Sequence, residues 1–215
     1  MPEVRTKIPK RIGIVLSSEF IWETVFNLYQ IEKNGYMRMA ITVLPDENEK
    51  QLIHFKKHII GIMAGIDLVN ADDVKPGSLR ALILSASESE FNSLSNFEEK
   101  GEAFDVDHNL RAFIRVVYRR GLPIGAFGYM APLIVKSVQG ITETGPVVTV
   151  GNNPKLQSAI ITAGGQAITT RPTEVIIDHE NKLATSGGQI GSSRLTEVAE
   201  DCENMFTAIK ELIKG

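Results

Sequence analysis

Short, uninterrupted apolar runs alternate along this chain with segments of helical periodicity, and this alternation constrains the fold more than any other feature. The runs at 11–16, 79–84 and 123–127 lack the apolar-polar alternation of a half-exposed strand, which is typical of parallel strands buried on both faces. Between such runs, apolar residues at helical spacing predict amphipathic helices, most clearly at 110–118 and 195–213. The sequence therefore predicts an α/β protein with a doubly wound, mostly parallel sheet and helices on both faces.

The other predicted elements complete this alternation. They are a helix at 21–31, a strand at 37–44, a loop at 85–105, a helix at 132–138 opened by Pro132, a strand at 147–150, a helix at 156–163, and two antiparallel strands at 174–178 and 182–185. Residues 45–78 give no clear pattern. The last helix carries one apolar stripe from Leu195 to Ile213, and Cys202 lies within it as a small hydrophobic residue.

Composition excludes several classes of protein. With 215 residues, a formal charge of −3 and one cysteine, the chain cannot form an internal disulfide or a thiolate metal cluster, and it lacks the basic surface of a dedicated nucleic-acid binder. The first ten residues are mildly basic without an apolar core, which favours a frayed leader over a targeting signal. We therefore expect one domain at 11–215 in a cytoplasmic protein, with neither a nucleic acid nor a membrane as partner.

In a doubly wound sheet, ligands bind beyond the carboxyl ends of the strands, where the strand order reverses. Four segments follow predicted strands and form the candidate site: 17–23, 85–91, 128–132 and 151–154.

The segment from Gly125 to Pro132 is predicted to turn sharply from a strand into a helix, as a nucleophile elbow does. Tyr129 stands at the position of the nucleophile in such an elbow, three positions before the proline. A tyrosine has an ordinary pKa of about 10 and is a poor nucleophile at neutral pH, but its hydroxyl can donate a hydrogen bond or act as an acid. A tyrosine that packs in a small cleft is the commoner alternative.

Three other polar features have competing interpretations. Glu23 follows the first strand, where a carboxyl can exchange a proton with a bound group if burial raises its pKa, although most glutamates are solvated. The segment Gly187–Ser193 precedes the last helix and can bind an anion, but a flexible turn with a serine N-cap is the simpler interpretation. His54 and His58 lack the glutamate of a zinc motif and are predicted to lie on a solvated helix face, so no metal is expected.

Several of these segments, in their order and spacing, resemble the ThiJ/PfpI branch of the class I glutamine amidotransferase-like superfamily and, more narrowly, its ElbB group, linked to isoprenoid biosynthesis. The segments that carry this resemblance are 12–17, 22–25, 81–84, 94–97, 121–125, 131–132 and 178–182. The resemblance implies a homodimeric, flavodoxin-like domain without a cofactor, with an elbow cysteine, a nearby acid and backbone amides for an oxyanion. It also implies glyoxalase-like chemistry on small dicarbonyls, or a deglycase, protease or chaperone role.

The chain departs from that pattern at three places. Tyr129 stands where relatives have the elbow cysteine, or Gly128 does if the gap is placed differently, and neither has a thiol. The glycine-rich oxyanion strip is replaced by the serine- and glutamate-containing segment 85–89. Asn152 stands where some relatives carry a histidine. Glu23, by contrast, falls on the acidic position of the family.

Three hypotheses of function follow, of which the third is a structural dimer without a ligand. The first is a ThiJ/PfpI-like protein without thiol-dependent activity, which serves as a binding or regulatory module for a small carbonyl metabolite. The second is a glyoxalase-like lyase or hydrolase whose site is rebuilt around Glu23 and Tyr129, within hydrogen-bond reach of each other and beside room for a ligand. The candidate ligand-binding residues are Ser85, Ser87, Gly128 and Asn152.

Overall fold

The computed structural model describes residues 11–15, 21–43, 66–192 and 194–215. Their strands are β1 (Arg11–Val15), β2 (Met37–Thr42), β3 (Asp67–Asn70), β4 (Leu79–Leu84), β5 (Ile124–Phe127), β6 (Val147–Thr149), β7 (Gln166–Ile168), β8 (Val175–Asp178) and β9 (Leu183–Ser186). Their helices are α1 (Trp22–Lys33), α2 (Glu88–Ser93), α3 (Phe97–Lys100), α4 (His108–Arg119), α5 (Met130–Val138), α6 (Pro154–Thr162) and α7 (Leu195–Lys214).

The main sheet has the strand order β3-β2-β1-β4-β5-β9-β8, and all neighbours are parallel except β8 and β9. Strands β6 and β7 form a separate parallel pair. The chain moves outward from β1 through β2 to β3 and then returns to the other side of β1 with β4. The strand order therefore reverses between β1 and β4, and their carboxyl ends are the expected ligand position. The doubly wound, mostly parallel fold predicted from the sequence is confirmed.

Apolar side chains cover both faces of this sheet. Ile12 and Ile14 of β1 join the apolar cluster that contains buried residues of α1 and α7, whereas Leu82 and Leu84 of β4 join the cluster that contains residues of α4 and α5. Burying one such side chain stabilises a fold by about 2 kcal/mol, so a strand between two helical layers gains from apolar residues at every position. This is why the strands appear in the sequence as uninterrupted apolar runs.

Helix α4 has the start and end that its sequence predicts. Asp107 accepts hydrogen bonds from the backbone N–H groups of Asn109 and Leu110, at 2.9 and 3.0 Å, and therefore caps the helix. Gly121, just beyond the helix, has a φ of +63° that suits a glycine.

Four predictions about elements were wrong in part. The predicted loop at 85–105 contains α2 and α3, because Ser87 caps α2 and Phe91 packs on two other phenylalanine rings of the segment. Helix α5 begins at Met130 rather than Pro132. Leu195 is 49% exposed and does not belong to the buried stripe of α7. The N-cap of α7 is Arg194, which makes no side-chain capping bond, and not a serine.

Two strands were missed. Strand β3 lies in the part of the sequence that gave no clear pattern, and β7 pairs only with β6. Several predictions lie outside the described residues: the leader at 1–10, the strand end at Ser17 and Ser18, and the pair His54 and His58. Among the helices that are described, none combines the length and the apolar character needed to cross a membrane.

Candidate functional site

Glu23 lies at the switch in strand order and is enclosed by groups from three parts of the chain. It occupies the first turn of α1 and is 2% exposed. Ser85, which directly follows β4, donates its hydroxyl to Oε2 at 2.6 Å, and the backbone N–H of Gln189 donates to Oε1 at 2.7 Å. Both carboxyl oxygens therefore have a donor, and the Ser85 bond joins the carboxyl ends of β1 and β4, where ligands bind in this type of sheet.

Gln189 belongs to the Gly187–Ile190 turn, which follows β9 and encloses Glu23 further, so that α1, the end of β4 and this turn are the three parts. Gly188 has a φ of +53°, and a Cβ atom there would lie 2.6 Å from Oε1 of Glu23 and 3.1 Å from Cβ of Phe127. Only glycine combines this backbone conformation with so close an approach of the carboxyl. The predicted anion-binding or flexible turn at 187–193 is thus a cradle for a carboxyl of the chain itself.

Burial raises the pKa of Glu23 from 4.5 to about 7. The loss of solvation is the largest cause, and the negative charge of Asp201 adds to it in the same direction. The hydrogen bonds from Ser85 and from the Gln189 amide favour the carboxylate and oppose the shift, but they do not cancel it. Glu23 therefore exchanges its proton near neutral pH.

Asp201 on α7 is a second buried acid that the sequence reasoning missed. Its Oδ2 accepts a hydrogen bond from the Ser186 hydroxyl at 2.9 Å, and burial raises its pKa to about 6. The amides of Gly188 and Gln189, which are consecutive, face Asp201 and Glu23 respectively. The available signal was positional, because Asp201 interrupts an apolar helix face three residues after Val198 and four before Met205.

The turn from β5 into α5 does not present a nucleophile. Its residue of positive φ is Gly128, at +42°, whereas Tyr129 has ordinary right-handed values of −59° and −20°. A Cβ at Gly128 would lie 2.9 Å from the carbonyl oxygen of Gly187, so this position has no room for a side chain. The strained position of this elbow is therefore filled by a glycine.

The Tyr129 side chain lies against α2. Its ring centroid is 5.7 Å from that of Phe91, and its hydroxyl faces Glu88. Partial burial is the main cause that raises the pKa of Tyr129 above its usual value, and the Glu88 charge adds to it. Within the described part of the chain, neither oxygen of Glu23 has Tyr129 as a hydrogen-bond partner.

The other two predicted ligand-binding residues are placed differently. Ser87 uses its hydroxyl to cap α2, accepting from the Glu90 amide at 3.2 Å. Asn152 is exposed, next to Gly151, which packs against Gly187 of the turn. Of the predicted site residues, Ser85 contacts Glu23 directly, and Gly128 packs against the turn that holds it.

The cysteine of the chain is not available as a substitute nucleophile. Cys202 is fully buried on α7, with its sulfur 3.7 Å from the backbone oxygen of Glu23. Burial, together with the nearby Glu23 and Asp201 charges, raises the pKa of its thiol well above the usual value. Among the described residues there is also no group of three or more His, Cys, Asp or Glu side chains that could hold a metal ion.

No protein-family model matches the sequence. Among solved structures, the chain is similar to an isoprenoid biosynthesis protein with an amidotransferase-like domain from Ehrlichia chaffeensis, with a TM-score of 0.77 and 14% identity over 94% of this chain and 99% of that one. It is also similar to a two-domain protein from Anabaena variabilis that contains DJ-1/ThiJ/PfpI-like and ferritin-like domains, with a TM-score of 0.55 and 11% identity over 90% of this chain and 54% of that one. These likenesses confirm the flavodoxin-like, amidotransferase-like fold that the sequence resemblance implied.

Proposed function

We propose that this chain is an ElbB-like protein of the ThiJ/PfpI branch that binds a small carbonyl metabolite without thiol chemistry, as a binding or regulatory module linked to isoprenoid metabolism. The fold shared with an isoprenoid biosynthesis protein and the sequence segments at Glu23 and Pro132 support the assignment. As the resemblance implies, we further propose a homodimer in the cytoplasm. Sedimentation velocity on the purified protein tests the dimer, and a species of about 24 kDa would contradict it.

The observation that supports the proposal most directly is which residues form the elbow between β5 and α5. Gly128 fills the strained position of the β5–α5 turn, and the Gly187 carbonyl oxygen lies only 2.9 Å from where a nucleophile's Cβ would be. Tyr129 lies against Phe91 and faces Glu88 on the α2 side. Because Cys202 is buried on the far helix as a neutral thiol, no group at the elbow can form the thioester or hemithioacetal of a cysteine enzyme.

Glu23 and Ser85 supply the polar contact of the proposed site. As a carboxylate, Glu23 accepts a hydrogen bond from the Ser85 hydroxyl. Once Glu23 is protonated, it can donate to the Ser85 oxygen, and the serine hydroxyl is then free to donate to a ligand carbonyl. Since the pKa of Glu23 is about 7, both arrangements are populated near neutral pH. Binding of a carbonyl ligand is therefore expected to favour the protonated form and to weaken as the pH rises above about 7.

One observation favours the second candidate, a lyase or hydrolase acting on small dicarbonyls. A general acid or base works best when its pKa lies near the working pH, and Glu23 meets this condition. This candidate requires Tyr129 to leave Glu88 and turn toward Glu23. Its site would then contain Glu23, Tyr129, Ser87 and Asn152, of which Ser87 now caps a helix.

The discriminating experiment compares binding and turnover in the wild type and in Glu23→Gln. Thermal unfolding is followed with hydroxyacetone, a carbonyl ligand of low reactivity, and conversion of methylglyoxal to lactate is measured separately. A rise in Tm with hydroxyacetone that Glu23→Gln alters, without lactate formation, supports the binding module. Lactate formation that Glu23→Gln abolishes overturns that proposal in favour of the lyase, and the absence of both responses contradicts both candidates.

A matched control for these measurements is Glu200→Gln. Glu200 is exposed on the same helix as Asp201, so its substitution removes one negative charge without touching the turn or Glu23. It is expected to leave both the Tm shift and the turnover unchanged.

A further inference from the structure

Two buried carboxyls face consecutive backbone amides of the Gly187–Ile190 turn. The Gln189 N–H donates to Glu23 on α1 at 2.7 Å, and the Gly188 N–H faces Asp201 on α7. A single peptide unit thus separates the groups that hold the two acids. A displacement of the turn on the Asp201 side would therefore be transmitted to the bond that the turn makes with Glu23.

Asp201 is well placed to fix the turn because it also holds the residue that precedes it. Ser186, the last residue of β9, donates its hydroxyl to Asp201 at 2.9 Å. The backbone oxygen of Ser186 in turn accepts the Gly128 amide at 2.9 Å. Asp201 is 1% exposed, and burial of a carboxyl in a helix that otherwise presents apolar residues is costly unless its hydrogen bonds compensate.

We infer that Asp201 is a positioning residue for Glu23: by holding Ser186, the residue that leads into the turn, it keeps the Gln189 amide on the Glu23 carboxyl. Asp201 acts through the turn and makes no hydrogen bond with Glu23. The inference rests on the proposed role of Glu23 in the function, and it adds the residue that sets the geometry and acidity of that site.

The hydrogen bonds that Asp201 makes and its negative charge change the pKa of Glu23 in opposite directions. The Asp201 charge disfavours a second negative charge and raises the pKa of Glu23, whereas the Gln189 amide that Asp201 keeps in place lowers it. The amide has the larger effect of the two. The other titratable groups facing this pair in the described structure are the neutral Cys202 thiol, beside Glu23, and Glu200, whose charge acts on Asp201.

Two substitutions separate these effects. Asp201→Asn keeps an oxygen that can accept the Ser186 hydroxyl but removes the charge, so the turn stays in place and the pKa of Glu23 falls. Asp201→Ala removes both, so the turn is released and, because the amide has the larger effect, the pKa of Glu23 rises above its wild-type value. Hydrogen exchange at the Gln189 amide is expected to speed up by about tenfold in Asp201→Ala, the factor that loss of roughly one hydrogen bond brings, and to stay unchanged in Asp201→Asn.

The experiment uses the whole chain with ¹³C-labelled glutamate carboxyls, titrated by NMR, together with amide hydrogen exchange. Opposite displacement of the Glu23 titration in the two variants, with faster exchange at Gln189 only in Asp201→Ala, supports the inference. Equal displacement in both variants with unchanged exchange would mean that Asp201 acts through its charge alone, and it would overturn the inference. Glu200→Gln is the charge control and is expected to change neither readout.

If Asp201→Ala does not fold, Ser186→Ala takes its place, because it removes the donor to Asp201 and keeps the acid. Faster exchange at Gln189 supports the inference, and exchange at the wild-type rate overturns it. Neither readout uses a metabolite or turnover. Failure of the proposed function and failure of this inference are therefore separate results.

Discussion

The two sides of the candidate site, at the ends of β1 and β4 and at the end of β5, differ in how their polar groups are held. At the ends of β1 and β4, Glu23 is buried and each of its oxygens accepts a hydrogen bond from a separate part of the chain. At the end of β5, the strained position is a glycine, and the next residue, Tyr129, is half-buried and turned toward α2. The difference teaches that the carboxyl on the β1–β4 side is held by close hydrogen bonds, whereas backbone and aromatic packing occupy the end of β5.

Gly188→Ala is the substitution that we expect to disturb the contacts of Glu23 most. The added Cβ would lie 2.6 Å from the Glu23 carboxyl at a positive φ, so it must displace the buried carboxyl from its donors. We expect a loss of about 4 kcal/mol in the free energy of unfolding, combining about 1 kcal/mol of backbone strain with about 3 kcal/mol for the displaced carboxyl. Urea unfolding at neutral pH measures it.

The matched control is Gly35→Ala. Gly35 also has a positive φ, of +74°, but a Cβ there would meet nothing within 4 Å. This variant is expected to lose only the strain, about 1 kcal/mol. Equal losses in Gly188→Ala and Gly35→Ala would contradict the close fit of the turn around Glu23.

Glu23→Gln tests how much the buried charge of Glu23 destabilises the folded state. Its amide oxygen can accept the Gln189 N–H, and its NH₂ can donate to Ser85 Oγ, so both contacts are kept without a charge. In the wild type, the pKa of Glu23 is about 7 in the folded state and 4.5 in the unfolded state. Between these two pH values the folded chain therefore binds more protons than the unfolded chain does. Wild-type stability therefore falls as the pH rises through this window.

The variant lacks this titration, so its stability relative to the wild type is expected to improve by about 3 kcal/mol between about pH 5 and about pH 8. Unfolding by urea across this range measures the difference. Asp201 titrates in both proteins, so only the part of its contribution that depends on the Glu23 charge remains in this difference. A difference that stays constant with pH would show that Glu23 titrates as an exposed carboxyl does.

Tyr129→Phe is the smallest change and tests the elbow side of the comparison. It keeps the ring on Phe91 and removes the hydroxyl that faces Glu88, which is exposed. We expect at most about 1 kcal/mol of lost stability and no change in the pKa of Glu23. A displaced Glu23 titration would place Tyr129 in the same site and favour the lyase, and NMR titration of the carboxyl detects it.

The regular elements were predictable because burial on two faces leaves a strong pattern. Strands β1 and β4 are apolar throughout, and α4 carries its cap at Asp107 and its terminating glycine at Gly121. Helix α2 was missed because its six residues are largely polar, and only Phe91 anchors it in the core. Strand β7 was missed because its three residues are exposed or half-exposed and pair with one neighbour, which leaves no periodicity to detect.

The candidate site was predictable only where a residue follows a strand directly. Glu23 and Ser85 were both selected in this way, and their hydrogen bond joins the carboxyl ends of β1 and β4. The Gly188 cradle and Asp201 could not be deduced, because they reach Glu23 from residues 165 and 178 positions further along the chain. Their role depends on the register of β9 beside β5 and on the packing of α7 against α1, and neither is a local property of the sequence.

The most direct test of the account is the titration of the Glu23 carboxyl in the wild-type protein, followed by ¹³C NMR and assigned by its absence in Glu23→Gln. In the structure Glu23 is a buried acid, enclosed by Ser85 and the Gln189 amide, that exchanges its proton near neutral pH. We expect the titration to give a pKa of about 7. A pKa near the ordinary value of 4.5 would contradict it, because it would mean that Glu23 is solvated and not held at the switch in strand order.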